Sequence, residues 1–242
     1  ALHIGATVGS ACSVRDSSNP ETLLRYADLA LYAAKETKRG TYRRFDLAMD
    51  TAAQQKSKLE TDFREAVHKG VLEVHYQPMI NLSGGELEGY EALLRWNHPD
   101  WGSVSPEVFI PLAEDLGLID QLGQFVLRTA GREATNWESD VLLSVNVSPL
   151  QFRSGNLLNV VLQALSSSGL APERLELEIT EAVLMDRNPQ TLSTIRSLRS
   201  LGVGLSMDDF GTGYSSLHYL LRYPFTKIKI DKSFILNLGE ET

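Results

Sequence analysis

Asp208 and Asp209 close an apolar run (Val203, Leu205, Met207) and are followed at once by Phe210-Gly211-Thr212-Gly213. A strand that ends in two acids beside a core is costly, because a buried carboxylate must be paired, hydrogen-bonded or bound to a metal. A solvated Asp-rich turn is the plainer reading of that dipeptide alone. Other strand-like runs in the chain end the same way. One carries Glu91 and then Arg95, and another closes on Asn146-Val147-Ser148. A third runs Glu176-Leu177-Glu178-Ile179-Thr180-Glu181, and the last is Lys227-Ile228-Lys229-Ile230-Asp231. Hard oxygen donors gathered from several strand ends suit Mg²⁺ or Mn²⁺, and the lack of a Cys or His cluster argues against structural zinc. Neighbouring acids can feed two ions, and two divalent ions about 3.5–4 Å apart are a recurring device for phosphodiester hydrolysis.

Each residue also has a duller explanation. Glu176 and Glu178 alternate with Leu175, Leu177 and Ile179, so period 2 alone fits a solvated strand face. Lys227 and Lys229 share a face and fit an edge-protecting pair. Asn146 fits a helix cap. His75, His98 and His218 are scattered, which favours structural or surface roles. The coincidence of five such groups at strand ends is what favours a site.

The elements that must position these groups follow from periodicity. Strand-like runs are Leu72–Met79, Leu87–Trp96, Val141–Val147, Leu175–Thr180, Val203–Met207 and Thr226–Ile230. Helical spacing marks Pro106–Leu116, Ile119–Trp137, Leu157–Ser167, Pro189–Leu201 and Tyr214–Arg222. The later strands are separated by single helices, as in βα repeats with a parallel sheet, where chemistry collects at the carboxyl ends of the strands. Before them lies a short strand–helix–strand stretch: residues 1 to 14, a helix through Leu23, Leu24, Ala27, Leu31 and Ala34, and Thr41–Phe45. It is too small for a core of its own. Residues 46 to 69 read as a polar helix ending at Gly70, with the domain boundary inside it.

The 242 residues are 43% hydrophobic, with a formal charge of -8 and a pI near 5.2. That balance gives no general attraction to DNA, RNA or an anionic membrane, so a phosphate ligand needs local cations. The single Cys12 makes no internal disulfide, which suits a reducing cytoplasm. No apolar run reaches the ~20 residues of a membrane span, and no signal peptide is visible. The start at Ala1-Leu2-His3 reads as a cut or processed one.

Tyr90-Glu91-Ala92-Leu93-Leu94-Arg95-Trp96 resembles the signature of the EAL domains, the cyclic di-GMP phosphodiesterases. Tyr76-Gln77-Pro78, Asn146-Val147-Ser148-Pro149, Glu178-Ile179-Thr180-Glu181, Asp208-Asp209-Phe210-Gly211-Thr212-Gly213 and Lys229-Ile230-Asp231 match further blocks in the family's order. The resemblance covers about residues 57 to 242. Ala27–Lys35 with Arg39-Gly40 is similar to the last helix of a GGDEF (diguanylate cyclase) domain, whose namesake loop is not in this sequence.

The implied division is 1–45 for a GGDEF remnant, 46–58 for a helical linker and 59–242 for the EAL domain. The implied fold is a modified TIM (β/α)₈ barrel. The chain stops soon after the sixth strand, where family members add two more strand–helix units, so the expected barrel is incomplete at its C-terminus. By resemblance, Glu91, Asn146, Glu178 and Asp208 would ligate one Mg²⁺ or Mn²⁺, with Asp208 and Asp209 on a second. Lys229 would orient the attacking water and Arg95 would hold a substrate phosphate. Gln77 and Leu93 would line the nucleotide groove, and Asp231 belongs to the same substrate-binding set. Glu181 would anchor the loop after the fifth strand, Asp209–Ser216, which contributes to a homodimer interface. The implied reaction opens cyclic di-GMP to linear pGpG. The competing expectations are a non-catalytic cyclic di-GMP receptor and an inactive dimerising fragment.

Overall fold

The structure, a computed structural model, describes residues 5–185, 188–211, 223–231 and 233–234. Two compact units divide at Lys69 and Gly70.

In the first unit, strand β1 (Val8–Ser10) pairs in parallel with β2 (Tyr42–Arg44), and helix α1 (Pro20–Thr37) connects them. Asn19 caps α1 by accepting from the backbone N–H groups of Glu21 and Thr22, with Pro20 at the first helical position. Ala30 and Ala34 are buried on the face that packs on the strands, as their four-residue spacing predicts. Helix α2 (Leu47–Lys69) is continuous across the whole polar stretch. Arg25 reaches from α1 to Asp50 on α2, Nη1 to Oδ1, at 2.5 Å.

In the second unit, β3 (Glu73–Ile80), β4 (Leu87–His98), β6 (Leu142–Val147), β7 (Leu175–Thr180), β8 (Gly204–Phe210) and β9 (Lys227–Ile230) lie side by side in that order, and β5 (Gly102–Val104) pairs with β4. From β4 to β9 this row is parallel, while β3 is antiparallel to β4. The antiparallel start departs from a plain βα repeat. Its cause is the short connection Asn81–Glu86, which suffices for a hairpin, whereas a parallel crossover needs about a dozen residues or more. Among the described residues β3 and β9 are the two ends of the row, and no closed barrel forms. The expected helix Tyr214–Arg222 and His218 lie outside the described residues.

The parallel strands are joined through α3 (Pro106–Asp115), α4 (Ile119–Ala134), α5 (Pro149–Arg153), α6 (Leu157–Ser168), a 3₁₀ turn at Pro172–Arg174, α7 (Glu181–Met185) and α8 (Pro189–Ser200). Leu143, Val145, Leu177, Ile179, Leu205 and Met207 are buried, and their strands pack on α4, α7 and α8. Successive strand residues point to opposite faces. The same alternation therefore turns Ser144, Asn146, Glu176, Glu178, Ser206 and Asp208 to the face away from the helices. Glu176 and Glu178 are only 5% and 1% exposed, which removes the solvated-face reading.

Candidate active site

Five strand-borne groups meet on that inner face. Lys229 on β9 donates from Nζ to Glu178 Oε2 on β7 at 2.5 Å and to Glu91 Oε2 on β4 at 3.1 Å. The same ammonium lies 3.6 Å from Asp208 Oδ1 on β8. Asn146 on β6 donates from Nδ2 to the other Glu91 oxygen, Oε1, at 2.7 Å. The strands place them so because Asn146 stands opposite Glu178, and Asp208 opposite Thr180, in the parallel ladders. Lys229 is therefore the hub of a carboxylate cluster, which excludes the edge-protecting role.

The electrostatics are lopsided. Glu178 Oε1 is buried and, among the described residues, has no hydrogen-bond partner. Burial pushes the Glu178 carboxyl from its ordinary 4.5 up to about 7, against the pull of the Lys229 hydrogen bond and with further help from the Glu91 charge. Burial works to lower the Lys229 ammonium, but the hydrogen bond and charge of Glu178, then Glu91 and Asp208, carry it above the usual lysine range. Lys229 stays protonated under all ordinary conditions.

Asp208 and Asp209 owe their placement to a β-bulge. The register runs Met207 opposite Ile228 and then Phe210 opposite Ile230, so β8 holds one residue more than β9 across that step. Asp209 takes up the extra length at φ 53, in the left-handed region that a short polar side chain tolerates best after glycine. Burial, then the charges of Asp208 and Asp231, raise the Asp209 carboxyl, while Lys229 opposes them. Asp209 and Asp231 thus share the electrostatic neighbourhood of the cluster.

The remaining predicted groups surround it. Gln77 on β3 is exposed and stands opposite Glu91 in the antiparallel ladder. Leu93 and Arg95 follow Glu91 on the same face of β4. With Asn146, Ser148, Glu114 and Thr180 they line a cavity of about 340 Å³. Glu181 begins α7, three residues after Glu178, and is buried. From Thr212 on, the expected dimer loop lies outside the described residues. His98 is structural: its Nδ1 accepts from the backbone N–H groups of Asp100 and Trp101 at the β4–β5 turn.

The donor set is carboxylate and amide oxygen, the chemistry of a hard divalent cation. Among the described residues, no three of His, Cys, Asp and Glu already stand close enough to hold an ion, and the Lys229 ammonium sits between Glu91, Glu178 and Asp208. The Glu178 oxygen that is left without a partner among the described residues is a free acceptor of the kind that a hard cation uses. Sequence reasoning did not pick out Glu88 and Ser144, which touch Lys227 and Glu176. For Ser144 the available signal was its period-2 spacing from Asn146 on β6, while Glu88 had none, since a bulge sets its place.

A parallel βα sheet with acids, an amide and a lysine converging on one inner face defines a class: an α/β protein with a polar, carboxylate-rich centre at its strand ends. Comparison narrows the class. The EAL domain family profile matches residues 60–242, and the chain belongs to that family. It is 45% identical over 237 residues to an uncharacterised signalling protein of Caulobacter vibrioides, covering 98% of this chain and 29% of that protein. It is 40% identical over 245 residues to the bifunctional diguanylate cyclase/cyclic di-GMP phosphodiesterase MucR of Pseudomonas aeruginosa, covering 100% of this chain and 36% of MucR. The chain thus spans about a third of the length of these curated relatives. The solved PaMucR phosphodiesterase in complex with c-di-GMP superposes with a TM-score of 0.72 at 42% identity, covering 76% of each chain.

Proposed function

We propose that this chain carries the catalytic centre of a metal-dependent phosphodiesterase that hydrolyses cyclic di-GMP to linear pGpG in second-messenger signalling. The observation that carries the reading is the Glu178–Lys229–Glu91 cluster, with a buried carboxylate oxygen left for a cation. Glu91, Asn146, Glu178 and Asp208 would hold one Mg²⁺ or Mn²⁺, and Asp208 with Asp209 a second. Bound there, such ions would supply Lewis-acid stabilisation of the phosphoryl charge and would lower the pKa of the attacking water.

The chain's own residues do the rest. Lys229 keeps its proton and so can hold the water by a hydrogen bond, and the proton that the water loses is balanced by the one that the departing ribose 3′ oxygen gains. Arg95, always charged, grips a phosphate oxygen. Leu93 lies along the nucleotide and Gln77 and Asp231 bound the groove. Attack forms a new O–P bond and breaks the bond to a ribose 3′ oxygen, which opens the ring. Glu181 would act indirectly by anchoring the loop Asp209–Ser216, which would contribute to a homodimer interface.

The relatives support the substrate, because MucR carries that activity in its name and its solved domain is a c-di-GMP complex. MucR also matches across the whole chain, which supports reading residues 1–45 as the tail of a GGDEF domain and 46–58 as the linker. A cytoplasmic location agrees with a nucleotide messenger and a lone Cys12. Among the described residues no helix is long and apolar enough to cross a membrane.

The test is to incubate the chain with cyclic di-GMP and Mn²⁺ or Mg²⁺ and follow pGpG by chromatography beside Asp208→Ala. Turnover that disappears in the variant supports the reading. Metal-independent binding without turnover would instead make the chain a receptor, and neither binding nor turnover would overturn the substrate assignment.

A further inference from the structure

One layer below the candidate site the same inner face holds a second set of charges. Lys227 stands two residues before Lys229 on β9, so the two side chains share a face. Its Nζ lies 3.1 Å from Glu88 Oε1 and 3.2 Å from Glu176 Oε1. Ser144 Oγ donates to that same Glu176 oxygen at 3.2 Å. Glu176 in turn stands two residues before Glu178 on β7. β4, β6, β7 and β9 therefore each carry one member of the upper cluster and one of the lower.

Glu88 reaches this layer through a second bulge. The β3–β4 register passes from Met79 opposite Gly89 to Ile80 opposite Leu87, which leaves Glu88 as the extra residue. Bulges re-aim side chains, and here the re-aimed carboxylate meets Lys227. The lower layer is thus built into the strand geometry.

Its consequence for the upper layer follows from charge. Glu176 is 5% exposed, and a buried carboxylate that loses its cation is strongly destabilised. Lys229 is the adjoining ammonium on the same strand and face, on a flexible four-carbon stem. We propose that Lys227 is a positioning residue: by satisfying Glu176 and Glu88 it leaves Lys229 engaged with Glu178, Glu91 and Asp208. Without Lys227, the Lys229 ammonium drops to Glu176, and the upper carboxylates lose their internal counter-ion together with the group that orients water. The catalytic part of this inference rests on the phosphodiesterase reading. The structural part does not.

The experiment compares Lys227→Met, Lys227→Arg and the double variant Lys227→Met/Glu176→Gln in the 242-residue chain. Three quantities are read: the position of Lys229 Nζ by crystallography, Mn²⁺ affinity by paramagnetic resonance of free Mn²⁺, and kcat and KM for cyclic di-GMP. In Lys227→Met the ammonium of Lys229 is expected within hydrogen-bond distance of Glu176, about 3 Å. Mn²⁺ then binds about threefold tighter or more, because the upper acids are no longer neutralised from within. At the same time kcat falls about tenfold or more while KM stays within about twofold, the mark of an interaction used in the transition state.

Lys227→Arg keeps the charge and stays near wild type. The double variant removes both charges and also returns toward wild type. Tighter metal binding with slower turnover, cured by a second substitution, is a combination that loss of packing does not produce. The proposal is overturned if Lys229 stays on Glu178 in Lys227→Met, if Mn²⁺ affinity is unchanged or weaker there, or if the double variant is as impaired as the single. A wild-type chain with no hydrolysis would sink the phosphodiesterase reading, while the crystallographic position of Lys229 would still decide this one. Lys227→Gln, which removes the charge but keeps a donor for Glu176, replaces Lys227→Met if the latter does not accumulate as folded protein.

Discussion

Glu178 and Lys229 form a pair in which neither partner is fully satisfied by the other. The lysine is shared among three carboxylates, and one glutamate oxygen has no partner among the described residues. Removing the ammonium leaves a buried carboxylate uncompensated, which typically costs 3–5 kcal/mol. The Lys229 side chain is 27% exposed, so Lys229→Met is expected to lose about 2–3 kcal/mol in urea denaturation with EDTA present. Mn²⁺ should restore much of that loss, because it replaces the missing positive charge, and the loss should be smaller in saturating metal than in EDTA. Glu178 adds a pH signature to the metal-free protein. Its carboxyl is raised from 4.5 to about 7, so between those values the native state holds a proton that the unfolded chain has released. Stability from this group is complete below about pH 4.5 and is lost as pH rises through about 7. Glu178→Gln keeps the neutral shape at every pH. In EDTA, the gap between the two denaturation midpoints should therefore widen in favour of the variant as pH rises across that window. A gap that is constant with pH would contradict the assigned shift.

At the scale of elements, the strand ends are locked by the helices that follow them. Asn146 is held two residues before Ser148, which caps α5: its hydroxyl accepts from the Leu150 N–H, and Gln151 Oε1 accepts from the Ser148 N–H. The same hydroxyl donates to Glu114 Oε1 on α3 at 2.5 Å. Ser148→Ala removes a cap and strips a half-buried carboxylate of a donor, so it should cost about 1–2 kcal/mol by urea denaturation. Turnover should fall with it, since the backbone carrying Asn146 is no longer pinned to α3. Much of this layer was legible in the sequence. The three- and four-residue spacing in α1, α4 and α8 marked helices, and period 2 put Glu176 with Glu178 and Lys227 with Lys229. Period 2 fixes which residues share a face, however, and is silent on whether that face meets water or other strands. That is why an edge pair and a solvated stripe competed with the site. Glu88 was not legible at all, because a bulge exists only in the register between two strands, and a single sequence does not record register. The antiparallel first pair was latent in the short Asn81–Glu86 connection, but its significance depends on β3 and β4 being partners.

At the scale of the whole molecule, the chain is two compact units, and α2 belongs entirely to the first. The first unit hangs on one close approach. Gly9 on β1 lies so near α1 that a Cβ there would overlap the backbone of Leu31 and Ala27, and neither helix backbone nor strand can give way as a flexible side chain would. Tyr26 stacks on Phe45 at 3.9 Å in the same unit, so moving α1 off β1 also disturbs that contact and the Arg25–Asp50 pair. Gly9→Ala is therefore expected to loosen α1, β1 and β2 together, at about 2 kcal/mol or more for an overpacked site that does not relax. Stability is not uniform across a structure, and cooperative units can open separately. Hydrogen exchange reads the difference directly. In Gly9→Ala the amides of α1 and of the β1–β2 ladder should lose protection, while those of β6, β7 and β8, which hold Asn146, Glu178 and Asp208, keep theirs. Protection lost equally in both sets would mean that the strands of the active centre depend on the first unit for their stability, and the two-unit description would fail as an account of how this chain folds.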